Sequence, residues 1–162
     1  MDELRAVVRF AADCAQGLLP EFEAVAPNDS RPREALAAAR IFAEGAARSN
    51  RQRTAAFASH LAAKAVAEET AQLAALACGD AAASAYLHPI AKASQVGHIL
   101  RAAACAARVA ELRMGATREA VLALAARATS PVPEILRRYP SAPAGSSRVA
   151  QLMSELDAAI RG

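Results

Sequence analysis

Alanine fills 47 of the 162 positions and is spread along the whole chain rather than gathered in one tract. Alanine loses no side-chain entropy in a helix and offers a pleated sheet nothing to pack, so this distribution favours helices and opposes strands. Hydrophobic residues make up 54%, enough to escape disorder, but aromatics only 4% with no tryptophan. Small side chains let helix axes approach toward the short end of the usual spacing of about 8–10 Å. They also bury little area each, so the scattered Leu, Ile, Val and Phe must supply much of the core energy. The length suits one domain that needs no disulfide or metal. The expectation is an all-α chain, one domain over residues 1–162, folded as a compact bundle of roughly eight helices.

The breakers divide the chain. Leu4, Val7, Val8, Ala11, Cys14, Ala15 and Leu18 recur at helical steps and predict a helix over 3–19. Pro20 interrupts it or opens a short second turn through Phe22. Asp29 or Ser30 is the expected N-cap of the next helix, with Pro32 in its first turn and Gly45 closing it. Asn50 is expected to cap a helix over 51–66 with Ala55, Leu61 and Ala62 inward. Glu68-Glu69-Thr70 suits the start of a helix carrying Leu73, Leu76, Ala77, Asp80, Ala83 and Leu87, which breaks at His88-Pro89. A long helix over 90–114 then stops at Gly115, and Thr117 caps one over 118–128. A short helix follows Ser130-Pro131, and Ser146 or Ser147 caps a last one bearing Val149, Leu152, Met153, Leu156 and Ile160. A stacked solenoid of helical pairs is the alternative, disfavoured by the irregular connections.

Nineteen basic and sixteen acidic residues leave a charge of +3, unevenly placed: residues 1–81 are slightly acidic and residues 82–162 basic. This bias is too mild to imply nucleic acid by itself, and no helix-turn-helix or aromatic platform supports one. Cys14, Cys78 and Cys105 lie far apart, with no C-x-x-C pair, and read as small buried apolar groups in a reducing cytoplasm. Met1-Asp2-Glu3-Leu4-Arg5 is not a basic segment leading into an apolar stretch, so no secretory signal is expected. Charges interrupt every candidate apolar run, so no membrane span is expected.

Few residues of the chain fall into patterns that carry chemistry. No glycine precedes a lysine, which excludes a phosphate-binding P-loop. His98 and Cys105 lie seven apart on one helical face and could form half a metal site; a core histidine bonded to Gln95 or a backbone carbonyl is the simpler reading. His88, beside a helix break, could rim a cleft. Asp80 sits in an apolar stretch, where a buried carboxylate must be paired; a place on a surface face or a pair with an arginine from another helix is expected, and a general base is the alternative. Ser59-His60 and Ser84 lack the glycines of a nucleophile elbow. Arg48, Arg51 and Arg53 form one basic cluster and Arg137-Arg138 another. No catalytic constellation, cofactor or metal set emerges. Asp80, His88, His98 and Cys105 are the candidate cleft of a ligand-binding or enzymatic alternative.

The block Asp13-Cys14-Ala15, Leu19-Pro20, Phe22-Glu23, Pro27-Asn28-Asp29-Ser30, Arg31-Pro32-Arg33-Glu34-Ala35, then Ala39-Arg40, Phe42 and Gly45, resembles the immunity-protein family of bacterial polymorphic toxin systems, in its alanine-rich helical branch. Ala85-Tyr86-Leu87-His88-Pro89, His98-Ile99-Leu100, Arg138-Tyr139-Pro140 and Arg148-Val149-Ala150 extend the likeness along most of the chain. It departs from many similar chains within Ala85-Tyr86-Leu87-His88-Pro89, where they carry a Thr-Ala-His run. The resemblance implies an all-helical, non-catalytic cytoplasmic protein that binds and neutralises a cognate toxin; homo-oligomerisation is left open. Some similar chains carry the label of an exonuclease subunit, which leaves a DNA-associated accessory role as a further alternative. Asp29, Arg31, Pro32, Arg33 and Glu34 are the motif residues, expected to lock the helix start against the N-terminal helix or to contact the partner.

Overall fold

A computed structural model describes residues 1–162. It contains nine α-helices and no strand: α1 Asp2–Gln16, α2 Leu19–Val25, α3 Arg31–Ala43, α4 Asn50–Lys64, α5 Glu69–Ala83, α6 Val96–Met114, α7 Thr117–Arg127, α8 Val132–Leu136 and α9 Arg148–Arg161. Two single 3₁₀ turns, Ser84–Tyr86 and Ala93–Gln95, flank the loop between α5 and α6. Pro20 opens α2 rather than merely ending α1, because a proline in the first turn lacks only an N–H that has no helical acceptor.

Helix α5 is the axis of the bundle and packs against α1, α2, α3, α4 and α6. Ten of its fifteen residues are buried, all but two of them, Leu73 and Asp80, alanine or glycine or cysteine. A helix buried almost all round needs such a coat of small groups if five neighbours are to reach it. The large side chains Phe22, Phe42, Ile99, Leu100, Leu136, Leu152 and Leu156 fill the spaces between the outer helices, within one connected cluster of 47 buried residues. α9 closes the far side by packing on α6 and α7.

Arginines satisfy stranded carbonyls at the helix ends. Arg5 Nη2 donates to Gly45 O at 2.8 Å and Arg9 Nη2 to Ala43 O at 2.9 Å, so α1 caps the C-terminus of α3. Gly45 sits at φ +124°, where an L side chain is strained.

Four local expectations shift. Ser49, not Asn50, caps α4, in a capping box with Gln52. Leu61 points outward; the buried stripe of α4 is Gln52, Ala56, Ser59, Ala62 and Ala63. Gln52 Nε2 donates to Ala38 O and Ser59 Oγ to Ala75 O at 2.6 Å, which holds α4 too close to α3 and α5 for a leucine between them. α6 begins at Val96 rather than near 90, because Gln95 Oε1 accepts from the His88 N–H and Tyr139 OH donates to His88 O, pinning the preceding residues as a loop. Thr117 lies inside α7 and directs its hydroxyl to Glu111 instead of capping the helix. No helix is long and apolar enough to cross a membrane.

Candidate functional site

The most unusual polar arrangement lies where α4, α5 and α6 meet. Asp80, in the last turn of α5, is only 5% exposed. Its Oδ1 sits 3.2 Å from His60 Nε2 of α4 and 3.5 Å from Arg101 Nη1 of α6, while its Oδ2 and His60 Nε2 make no hydrogen bond. A buried carboxylate with an unbonded oxygen is costly, so the site holds an unmet hydrogen-bonding demand.

Two glycines admit these side chains. A methyl group at Gly79 would lie 2.6 Å from His60 Nε2 and 3.0 Å from Ala56 O, so only glycine lets the imidazole reach across α5 to Asp80. A methyl at Gly97, the second residue of α6, would lie 2.5 Å from Arg101 Nη2, where the guanidinium folds back along its own helix. The cluster opens into a cleft of about 500 Å³ whose polar lining is His60, Lys64, Gln72, Asp80 and Arg101.

Of the four residues expected from the sequence to share a cleft, Asp80 alone lines this one. Cys105 is buried in α6, its thiol pushed up by desolvation. His98 is half-buried on α6, and desolvation, then the Arg101 charge, lower its pKa; Asp80 pulls the other way. His88 is exposed in the loop before α6 and engages through its backbone. No three His, Cys, Asp or Glu side chains converge as a metal site would require. His60, Arg101 and the two glycines were the residues missed. The signal was Gly79 next to Asp80, a glycine inside a helix otherwise built from alanine.

The motif turn is satisfied within the chain. Arg31 Nε and Nη2 grip both oxygens of Asp29 at 2.9 and 2.6 Å, which lowers the Asp29 pKa. Asp29 Oδ1 also accepts from the Arg31 backbone N–H. Arg33 pairs with Glu23 of α2, Ser30 Oγ donates to Glu34 Oε1, and Pro32 is buried in the first turn of α3.

The outward face of α4 is different. Phe57 is 65% exposed and Leu61, one turn on, 41% exposed. Arg51, Arg53 and Lys64 flank them, and no acidic residue occurs between Gly45 and Ala67. The Arg53 guanidinium lies 4.7 Å from the Tyr86 ring centre and that of Arg48 5.2 Å, so cations stack about the aromatic ring at the edge of this face.

A second, more apolar cavity of about 210 Å³ lies between α1, the 87–91 loop and α8. Its charged rim is already satisfied, with Arg138 forked onto both oxygens of Glu3 at 2.7 Å.

Compared with known proteins, residues 2–123 match the sequence profile of the family described as Imm-5 like putative immunity protein. No curated protein and no solved structure matches the chain.

Proposed function

The chain belongs to the Imm-5 like putative immunity protein family, and on that premise we propose that it acts as a single-domain, non-catalytic immunity protein that binds and neutralises a cognate bacterial toxin in the cytoplasm. The observation that carries the contact face is the outward side of α4, where Phe57 and Leu61 stand exposed among Arg51, Arg53 and Lys64. Apolar anchors inside a charged rim are the composition of a binding hot spot, and the like-charged rim selects the partner by sign. The toxin surface that fits it offers an apolar recess bordered by Asp or Glu. The motif residues Asp29, Arg31, Pro32, Arg33 and Glu34 serve in this reading as a lock between α2 and α3, since their charges are engaged within the chain.

Co-expression with the toxins encoded beside its gene tests the reading. The protein should rescue growth and co-purify with one of them, and Phe57→Asp with Leu61→Asp should abolish both while leaving the melting temperature unchanged, because these side chains are exposed. Undiminished rescue by the double variant would remove α4 as the contact face. Absence of binding and rescue with every neighbouring toxin would overturn the function.

A further inference from the structure

We infer that the cleft between α4, α5 and α6 is a binding site for a small phosphate compound bearing a hydroxyl, of the class of hydrogen phosphate and the hydroxylated phosphate esters. Lys64 and Arg101 reach the cleft as cations, and Arg101 touches Asp80 only at 3.5 Å, beyond a strong charge-assisted bond. Its side chain is 49% exposed and free to turn toward a ligand. Against these two cations stands one carboxylate, so the cleft carries net positive charge even with His60 neutral and favours an anion.

An anion alone would leave Asp80 Oδ2 without a donor and would sit against its charge. Gln72 adds a second acceptor, since its Nε2 donates to Val66 O at 2.9 Å and its carbonyl end remains for the cleft. Asp80 Oδ2 is closed to solvent at rest, so a ligand hydroxyl reaches it only with a small turn of the carboxyl, and the ligand that fits both demands is an oxyanion for Lys64 and Arg101 joined to an O–H that donates to Asp80 or Gln72. Hydrogen phosphate carries its own O–H, and a sugar or glycerol phosphate carries hydroxyls beside the phosphate. The roughly 500 Å³ of the cleft accommodates the organic part. Sulfate matches phosphate in shape but has no proton to donate near neutral pH, so Asp80 discriminates against it.

Gly79 and Gly97 show that the polar cluster is built into the helix packing. Each is the residue that makes room for a side chain of the cluster, and at Gly79 the chain gives up the helix propensity that alanine supplies elsewhere in α5. The site does not depend on the toxin-binding reading.

Titration calorimetry and phosphorus NMR on the full chain at constant ionic strength, with inorganic phosphate, glycerol phosphate and sulfate as probes, provide the test. Saturable binding of phosphate or glycerol phosphate is expected, the tighter of the two naming the source, with sulfate weaker by about tenfold or more because Asp80 is left without a donor. Arg101→Ala and Lys64→Ala, both at exposed side chains, should each weaken binding by about tenfold with the helical circular dichroism intact. Arg118→Ala, outside the cleft, should bind as the parent does. No saturable binding, equal binding of sulfate and phosphate, or unchanged binding in both cleft variants would each overturn the proposal.

Discussion

Replacing Gly79 by alanine sets two forces against each other at one atom. In an unconstrained helix interior the change stabilises by about 0.8–1 kcal/mol, because alanine loses less backbone entropy on folding. In α5 the new methyl would meet His60 Nε2 at 2.6 Å and Ala56 O at 3.0 Å. The imidazole can swing away, but only by leaving Asp80, whose Oδ2 already lacks a partner. That withdrawal costs about 1–3 kcal/mol. The Ala56 carbonyl is backbone and can yield only if α4 shifts off α5, an overpacking cost again of about 1–3 kcal/mol. The opposing terms leave a net destabilisation of about 1–5 kcal/mol, a fall in melting temperature of about 2–4 °C for each kcal/mol. Urea unfolding with an unchanged slope measures it. His60→Ala removes the movable obstacle, so Gly79→Ala introduced into that background should cost at least about 1 kcal/mol less, and the difference is the coupling energy between the two sites. If Gly79→Ala stabilised the parent by the full propensity gain, the close approach of His60 to α5, and with it the geometry of the cleft, would be refuted.

Two further outcomes follow from groups away from the cleft. Glu111 accepts from Arg148, Arg108 and Thr117, and these bonds, Arg148 first, lower its pKa from 4.5 to about 2. A lowered folded pKa means the contribution is complete above about pH 4.5 and is lost as pH falls toward about 2; with the side chain 18% exposed, solvent screening holds it to about 1 kcal/mol. Glu111→Gln should flatten the acid limb of stability in that window, and an unchanged acid profile would contradict the network. The thiols of Cys14 and Cys78 are pushed up to about 12 by burial and that of Cys105 higher still. All three should resist a thiol reagent in the native protein and react after unfolding; stoichiometric labelling without denaturant would contradict their burial.

The helices and most of their ends were legible because they follow from local chemistry. Pro32 opens α3 and Gly45 closes it, Ser147 caps α9 by accepting from Ala150, and Gly115 ends α6 at φ +65°. What failed locally did so where a distant group competes for a cap or a face. Thr117 bonds to Glu111, and the residues before α6 are held by Tyr139 from beyond α8. Hydrophobicity alone assigns Leu61 to the inward face of α4, whereas the gap against α3 and α5 is filled by Ala, Ser and Gln.

By itself, the sequence determined that this protein is all helix, since nearly a third of it is the residue that most favours that state and few residues favour any other. The sequence of residues 2–123 also determined the family. Only the tertiary structure decided which helix became the axis, which face of α4 stayed in solvent, and that His60 and Arg101 meet Asp80 rather than His88, His98 and Cys105 lining one cleft with it. The physical reason is that alanine sets conformation almost without setting partners. Its short, nonspecific side chain fits many helix pairings, so register and contact are chosen by the few large or polar groups and by the glycines that let them approach.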